Sequence, residues 1–116
     1  MKMRSVVVLS MLTVLMVLSI SLFAQRAMTV EDLWAMQRIG QVALSPDGEW
    51  LALEVTQYNM EKNNSNCDLW LVATKGGKPR QLTSSPKFDG LPRWKPDGSA
   101  LAFVSDRGGS AQIYLL

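Results

Sequence analysis

Residues 44–56 read Leu-Ser-Pro-Asp-Gly-Glu-Trp-Leu-Ala-Leu-Glu-Val-Thr, and residues 94–106 read Trp-Lys-Pro-Asp-Gly-Ser-Ala-Leu-Ala-Phe-Val-Ser-Asp. Both stretches place Pro-Asp-Gly before a short apolar run, with Leu-Ala at the same offset. These three residues favour a tight turn, because Pro presets φ, Asp bonds local backbone and Gly accepts positive φ. Repetition of one unit at this distance is typical of stacked supersecondary repeats.

Strand-like runs surround both copies of the motif. In the first unit, strands are predicted at Val42–Leu44, Trp50–Val55, Asp68–Val72 and Pro79–Thr83. In the second unit, strands are predicted at Leu91–Trp94, Ala100–Ser105 and Gln112–Leu116. The polar, Asn-rich segment 57–66 is interpreted as an inserted loop of the first unit.

The pattern predicts an all-β chain that forms an incomplete β-propeller over residues 41–116. One complete four-stranded blade is expected at 41–83 and most of a second at 89–116. Closed propellers contain about four to eight blades. We therefore expect apolar outer faces where neighbouring blades would sit, through residues such as Trp94, Phe103 and Tyr114, and no stable monomer of the exported chain.

The N-terminal segment has the three parts of a signal peptide. Lys2 and Arg4 precede an apolar run from Val6 to Phe23, and the small residue Ala24 follows. Residues 1–24 are therefore predicted to be a cleaved signal peptide that directs export, so the protein is expected to be periplasmic or secreted. The apolar run is also close to the length that spans a bilayer, which leaves retention as an N-terminal membrane anchor as the alternative.

A linker and a short amphipathic helix are predicted at residues 25–40. Thr29 and Asp32 have the spacing of a capping box, which indicates a helix start. The helix is expected over 29–38, with Gly40 ending it and its apolar stripe packed on the following sheet.

Charge and composition exclude several classes of function. The chain has 12 basic and 10 acidic residues, and loss of Lys2 and Arg4 with the signal leaves 10 against 10. No nucleic acid partner is indicated, because such partners require a clustered positive surface. The sequence contains no His, so neither a Ser-His-Asp triad nor a His-based metal site can be built from it. Cys67 is the only cysteine, and we assign no chemistry to it.

Four other features have structural interpretations that outweigh functional ones. Asp47 and Asp97 occupy equivalent turns, so local backbone bonding is preferred over paired acid–base catalysis. The segment 75–78, Lys-Gly-Gly-Lys, indicates a hairpin and lacks the spacing of a phosphate-binding loop.

The remaining two features involve aromatic and charged side chains. The tryptophans of the predicted strands are expected to pack between blades rather than to form a ligand platform; they are Trp50, Trp70 and Trp94. Asp106 and Arg107 could form an exposed ion pair of little energetic weight. We accordingly predict no catalytic, cofactor-binding or metal-binding residue in this chain, and no cofactor.

The blade motif resembles that of TolB-type propellers and of the prolyl oligopeptidase family of serine peptidases. The resemblance rests on residues 91–98, Leu-Pro-Arg-Trp-Lys-Pro-Asp-Gly, and on residues 101–107, Leu-Ala-Phe-Val-Ser-Asp-Arg. Residues 76–83, Gly-Gly-Lys-Pro-Arg-Gln-Leu-Thr, are similar to the second half of the same blade. The opening at Thr29–Leu33, which leads directly into the first motif, resembles secreted dipeptidyl and acylaminoacyl peptidases.

This resemblance implies a propeller that gates peptide access to an α/β-hydrolase domain carrying Gly-x-Ser-x-Gly. The chain has no such motif, so it is expected to be inactive alone, and its implied partners are further blades, the hydrolase domain and peptide substrates. The alternative is a non-enzymatic, TolB-like periplasmic module that binds proteins. Contact with a membrane is expected only through an uncleaved N-terminal segment.

Overall fold

A computed structural model describes Met3 and residues 26–116 of the chain. The described part contains one helix, α1 (Val30–Ala35), and two antiparallel sheets. The first sheet consists of β1 (Arg38–Leu44), β2 (Trp50–Asn59), β3 (Asn64–Ala73) and β4 (Arg80–Gln81) in that spatial order. The second consists of β5 (Asp89–Trp94), β6 (Leu101–Ser105) and β7 (Gln112–Leu115). The predicted all-β architecture of an incomplete propeller is confirmed.

The two Pro-Asp-Gly motifs form the same turn. Gly48 and Gly98 have φ of 75° and 72°, a backbone conformation that a side chain would disfavour. Gly48 N donates to Ser45 O at 2.9 Å, and Gly98 N donates to Lys95 O at 2.8 Å. The first sheet is blade 1, and the second sheet is blade 2.

Helix α1 starts as predicted and ends earlier. The Thr29 side chain accepts from Asp32 N while the Asp32 side chain accepts from Thr29 N, so the capping box is present. The predicted end at Gly40 is wrong: Met36 is already extended and Gly40 lies within β1. The cause is strand pairing, because Arg38 already lies opposite Thr56 of β2.

The helix packs on the sheet that follows it. The rings of Trp34 and Tyr58 meet edge to face, with centroids 5.7 Å apart. The Arg38 guanidinium lies 4.4 Å from the centroid of the Tyr58 ring. The predicted packing of the helix on the sheet is therefore present at Trp34, whereas Val30 and Leu33 of the apolar stripe are 63% and 48% exposed.

The predicted Asn-rich loop at 57–66 is instead a long β-hairpin. β2 and β3 stay paired from Trp50 opposite Ala73 to Asn59 opposite Asn64. The chain reverses through the intervening residues, and Asn63 adopts a positive φ of 46°. Hydrogen bonds between the backbones of β2 and β3 hold this segment together. The segment can therefore form strands although its side chains do not alternate between apolar and polar.

Blade 2 repeats blade 1 in register as well as in sequence. Counting from the two turns, Ala52 corresponds to Ala102 and Glu54 to Val104. The β1–β2 pairing shifts between Ile39 and Val42, and the β5–β6 pairing shifts between Gly90 and Arg93. The first strand of each blade therefore carries an irregularity of the bulge type at the same distance before its Pro-Asp-Gly turn.

The main core lies between the two blades. Ala52 and Leu69 of blade 1 pack with Leu101 and Phe103 of blade 2, all at most 2% exposed. Burial of each large apolar side chain contributes about 1.5–3 kcal/mol. Partly buried side chains border this cluster; they are Ala43, Leu82, Trp94 and Tyr114.

This core corrects one expectation about the outer faces. Trp94, Phe103 and Tyr114 point toward blade 1 and not toward the free side of blade 2. The free side exposes Ile113 and Leu115 at 76% and 69%. Successive side chains of a strand point to opposite faces of the sheet, and the expectation placed these three residues on the wrong face.

The signal peptide at residues 1–24 and its alternative, an N-terminal membrane anchor, stay predictions. The signal peptide at 1–24 lies outside the described residues except for Met3. Within residues 26–116, no helix has the length and apolar character needed to cross a membrane.

Candidate functional site

The polar groups with unusual surroundings gather at the junction of blade 1 and blade 2. On one side of the junction, Trp94 donates its indole Nε1–H to the backbone carbonyl of Ala43 at 3.0 Å. Arg93 adds a bond from Nη1 to Gln41 Oε1, also at 3.0 Å. The first strand of blade 2 is therefore hydrogen-bonded to the first strand of blade 1.

Glu54 places a carboxylate inside this junction. The residue is 9% exposed, and its Oε2 accepts from Gln41 N at 2.7 Å. A Cβ at Gly40 would lie 2.8 Å from Oε2, and a Cβ at Gly90 would lie 2.3 Å from Oε1. Two equivalent glycines thus make room for one carboxylate between the blades.

A second buried carboxylate, Asp89, is paired with Arg107. Asp89 is fully buried, and its Oδ2 accepts from Arg107 Nη2 at 2.8 Å. Ser105 Oγ accepts from Arg107 Nε at 3.0 Å. The guanidinium also lies 5.3 Å from the ring centroid of Phe103 and 5.0 Å from that of Tyr114. This cluster therefore lies on the face of blade 2 that packs against blade 1.

The predicted pair of Asp106 with Arg107 is wrong. Asp89 is the partner, and its hydrogen bond raises the pKa of Arg107. The two residues lie in the turn after β6, where the Arg107 side chain reaches back to Ser105 and Asp89. Asp106 Oδ1 is instead buried without a hydrogen-bond partner.

Asp68 lies near the same cluster on blade 1. Its carboxylate accepts from Thr83 Oγ1 at 3.2 Å and from Asn66 Nδ2 at 3.0 Å. Burial raises the pKa of Asp68, and the neighbouring Asp89 charge adds to that rise. The folded chain thus binds a proton at Asp68 more readily than the unfolded chain, so this group's contribution to stability falls as pH rises through its raised pKa.

A polar cleft of about 380 Å³ opens beside these carboxylates, between the β2–β3 hairpin and the segment before β5. Its walls combine Thr56, Ser65, Asn66, Cys67, Pro86, Lys87, Phe88 and Asp106. Burial raises the pKa of the Cys67 thiol, which keeps it protonated and poorly nucleophilic. This arrangement supports the assignment of no chemistry to Cys67.

The two turn aspartates are structural, as predicted. Asp47 Oδ1 accepts from Glu49 N at 3.0 Å, and Asp97 Oδ1 accepts from Ser99 N at 2.9 Å. Hydrogen bonds from Ser45 and Ser99, respectively, are the largest causes that lower the pKa of each carboxyl. Each carboxylate is thus committed to its own turn.

The glycine pair forms the predicted turn, whereas of the three tryptophans predicted to pack between blades only Trp94 does so, and Trp50 is 41% exposed. Gly76 and Gly77 have φ of 91° and 132° in the turn between β3 and β4. Trp94 packs at the junction, whereas Trp70 alternates with Leu69 and lies on the opposite face of blade 1. These two rings therefore do not share a ligand platform.

The hydrogen bonds of Trp94 and Arg93 to blade 1 hold the two blades together. Residues 26–116 contain no group of three or more His, Cys, Asp or Glu side chains placed to hold a metal ion. The sequence reasoning missed Glu54, Asp89 and their partners. A usable signal existed, because Asp89 and Ser105 lie nearly equidistant from the second Pro-Asp-Gly turn and face each other across the strands.

Comparison with known proteins agrees with this architecture. The sequence profile of the TolB beta propeller domain matches residues 21–116. The chain belongs to the TolB beta propeller domain family. The resemblance predicted from the blade motifs is thereby confirmed.

Curated relatives of the chain carry peptidase names. An uncharacterized peptidase, YuxL, of Bacillus subtilis is 36% identical over 93 residues, which cover 79% of this chain and 14% of that protein. Dipeptidyl-peptidase 5 of Porphyromonas gingivalis is 31% identical over 86 residues, which cover 74% of this chain and 13% of that protein. Dipeptidyl-peptidase 5 of Porphyromonas endodontalis is also 31% identical over 86 residues. The chain thus spans about one-seventh of the length of these relatives.

Proposed function

We propose that these two blades belong to the propeller of an exported serine peptidase of the prolyl oligopeptidase type. In that protein, the propeller would limit which peptides reach an α/β-hydrolase domain outside these 116 residues. The observation that carries the proposal is the 36% identity to a named peptidase over 79% of the chain. Similarity to two dipeptidyl-peptidases over 74% of the chain supports the same class.

The geometry supports a scaffold role for the described residues. At the junction, the Glu54 carboxylate accepts a hydrogen bond from the Gln41 backbone, and the Asp89 carboxylate accepts one from Arg107. A rigid wall of this kind suits a gate, because size selection requires an opening whose rim does not deform. Export is supported by the basic and apolar composition of residues 1–24.

The first test is the sequence of the transcript downstream of codon 116. A frame that continues through more blades into Gly-x-Ser-x-Gly agrees with the peptidase proposal. A frame that ends after blades alone contradicts it and favours the TolB-like protein-binding module.

The second test is catalytic and uses the continued protein. It should hydrolyse dipeptidyl or aminoacyl chromogenic substrates, and a serine-directed inhibitor should abolish this turnover. The 116-residue chain serves as the control and should show only background hydrolysis, because it contains no His. Turnover by the short chain, or none by the long one, contradicts the proposal.

The gating role has a separate readout. An intact propeller should restrict hydrolysis to short peptides, while a variant with a breached blade junction should also cleave longer ones. If both proteins cleave peptides of the same lengths, the gating role is contradicted, while the peptidase proposal is unaffected.

A further inference from the structure

The tip of the long β2–β3 hairpin carries an acceptor motif for protein glycosylation. Residues 63–65 read Asn-Asn-Ser, which is the Asn-x-Ser pattern with a residue other than Pro in the middle. The pattern occurs once in the 116 residues, since Asn59, Asn64 and Asn66 have no Ser or Thr two positions later. Such a motif becomes an acceptor where its asparagine lies on the surface of an exported protein.

Asn63 lies in the turn that joins the two strands. The strands pair up to Asn59 opposite Asn64, so Asn63 is the last residue before β3 begins. Its backbone N–H donates to Met60 O at 3.2 Å, and its φ of 46° lies in the left-handed region. The side chains of Asn63, Asn64 and Ser65 are all exposed. Exposed loop tips are the parts of a fold that other enzymes reach most easily.

The side-chain amides of this segment differ in what they bind. Asn59 Oδ1 accepts a backbone N–H of the turn at 2.9 Å. Asn66 Nδ2 donates to Asp68 Oδ2 at 3.0 Å and to Ser85 O at 2.8 Å. Among residues 26–116, the Asn63 side chain makes no hydrogen bond, so its Nδ2 is available to react.

Turn chemistry explains part of the motif. Asn adopts a positive φ more readily than most residues, so the conformation of Asn63 alone requires no further function. That conformation does not call for a hydroxyl two residues later. Ser65 lies in β3 opposite Tyr58 and exposes its side chain at the outer end of the pairing. The turn therefore accounts for Asn63 and does not specify Ser65.

A shallow hollow beside Asn63 has room for a sugar ring. Its volume is about 190 Å³, and it is lined by Trp34, Tyr58, Asn63, Asn64 and Ser65. The rings of Trp34 and Tyr58 meet edge to face, so they form an aromatic wall next to the acceptor amide. Aromatic rings offer an apolar, electron-rich surface on which the C–H groups of a sugar pack. Asn64 and Ser65 add polar groups for its hydroxyls.

Glu61 adds a negative charge to the same tip. It is exposed and lies two residues before Asn63. Complementary charge favours productive encounter, so an exposed carboxylate beside the acceptor offers a point of attachment to a basic surface of the transferase. An acid, an acceptor amide and a hydroxyl thus stand on alternate residues, at Glu61, Asn63 and Ser65.

We propose that Asn63 is the acceptor of an N-linked glycan whose first sugar rests in the hollow beside Trp34 and Tyr58. The donor is an oligosaccharide carried on a lipid diphosphate, outside the cytoplasm. Asn63 Nδ2 forms a bond to the anomeric carbon of the first sugar while the bond from that carbon to the diphosphate oxygen breaks. The lipid diphosphate leaves with the electron pair of the broken bond, and a base of the transferase takes the amide proton. This inference rests on the export part of the proposed function and not on peptidase activity.

The first measurement uses the protein from the organism that carries the gene. The cytoplasmic, membrane, periplasmic and medium fractions are separated, and the peptide that contains Asn63 is analysed by mass spectrometry. We expect an exported protein in which fragmentation places a chain of sugars on Asn63. An exported protein with unmodified Asn63 overturns the glycan and leaves export in place, whereas a cytoplasmic protein overturns both.

Variants of the motif separate the acceptor from its neighbours. Ser65→Ala keeps Asn63 and should lose the glycan, whereas Ser65→Thr should keep it. Asn63→Gly should lose the glycan and still fold, because Gly accepts the positive φ. Asn64→Gln is the matched control, since it changes an adjacent exposed amide and leaves the motif intact. A glycan that survives Ser65→Ala, or is lost in Asn64→Gln, contradicts the assignment.

The surroundings of the acceptor have separate readouts. Glu61→Gln should lower the modified fraction, and full modification of that variant would exclude Glu61 from recognition. Trp34→Ala opens the aromatic wall, so an added glycosidase should remove the glycan sooner than from the chain that keeps Trp34. Trp50→Ala is the control, since Trp50 is exposed and does not line the hollow. Equal rates of removal for all three proteins would overturn the placement of the first sugar, and circular dichroism checks that each variant folds.

Discussion

Trp94 of blade 2 donates its indole N–H to the carbonyl oxygen of Ala43 in blade 1, at 3.0 Å. The bond joins the first strands of two successive blades, next to the buried cluster of Ala52 and Phe103. It therefore orients one sheet relative to the other at a defined point, which apolar packing alone does not do. In blade 1, Leu44 takes the position of Trp94, so the bond occurs once within the described residues.

Replacement of Trp94 by Phe should separate the hydrogen bond from the packing. The side chain stays aromatic and apolar while the Ala43 carbonyl loses its donor. We therefore expect the free energy of unfolding to fall by about 1 kcal/mol. Urea unfolding at fixed protein concentration measures it. Trp50→Phe is the control at a ring that is 41% exposed, and it should change stability by no more than about 0.5 kcal/mol. An equal effect of both substitutions would show that the bond to Ala43 is not special.

The glycines around Glu54 lead to a second prediction. A Cβ at Gly90 would lie 2.3 Å from Glu54 Oε1 and 2.3 Å from Phe88 Cζ, whereas a Cβ at Gly40 would lie 2.8 Å from Glu54 Oε2. Gly90→Ala should therefore destabilise the chain by about 1–3 kcal/mol, as overpacking does, and Gly40→Ala should cost less.

A double variant tests whether Glu54 is the obstacle at Gly90. Glu54→Ala removes the carboxylate, so Gly90→Ala should cost less in that background than in the unmodified chain, although Phe88 still crowds the site. Thermal unfolding of the four proteins gives the coupling. Strict additivity would mean that the two positions do not interact.

The sequence predicts well what depends on local chemistry. The Pro-Asp-Gly turns, the Thr29–Asp32 capping box and the pairing of strands within each blade follow from residue types and spacing. The long β2–β3 hairpin was missed because its Asn-rich strands are held by backbone bonds and show no apolar alternation. Gly40 was assigned to a helix end because its actual role, close approach to Glu54, depends on a contact between strands.

The junction could not be predicted in the same way. The bond between Asp89 and Arg107 requires a cross-strand register that contains a bulge, and a shift by one residue moves a side chain to the other face. The same dependence on parity explains why Phe103 and Tyr114 were assigned to the outer face of blade 2.

The N-terminal cap should respond to acid with an unusually low midpoint. The Arg26 side chain, followed by the Thr29 amide, lowers the pKa of Asp32 from 3.8 to about 2. A depressed carboxyl pKa contributes stability above the unfolded value, and that contribution is lost as pH falls from about 4 to about 2. The Thr29 amide donates to Asp32 Oδ2 at 2.9 Å, so its NMR resonance reports the titration.

Two variants check this assignment. Arg26→Gln removes the largest cause and should move the midpoint upward, while Asp32→Asn should abolish the titration of the Thr29 amide. A midpoint at 3.8 or above in the unmodified chain would show that Arg26 does not hold the carboxylate in solution.

The final prediction concerns the buried ion pair of Asp89 and Arg107 in blade 2, which blade 1 replaces by two uncharged residues. Arg107→Gln leaves the fully buried carboxylate of Asp89 without its cation, so we expect a marked fall in the urea midpoint. Blade 1 carries Ile39 and Gln57 at the two equivalent positions. Asp89→Ile combined with Arg107→Gln therefore copies a combination that this chain already folds. The double variant should recover most of the stability that Arg107→Gln alone loses, because no buried charge remains unpaired.

Arg107→Lys should have a stability between those of the Arg107→Gln variant and the unmodified chain, since it keeps the charge and loses the planar contact with Ser105. A double variant that is less stable than Arg107→Gln would contradict this account, and Asp89 would then have to stabilise the blade through something other than its pairing with Arg107.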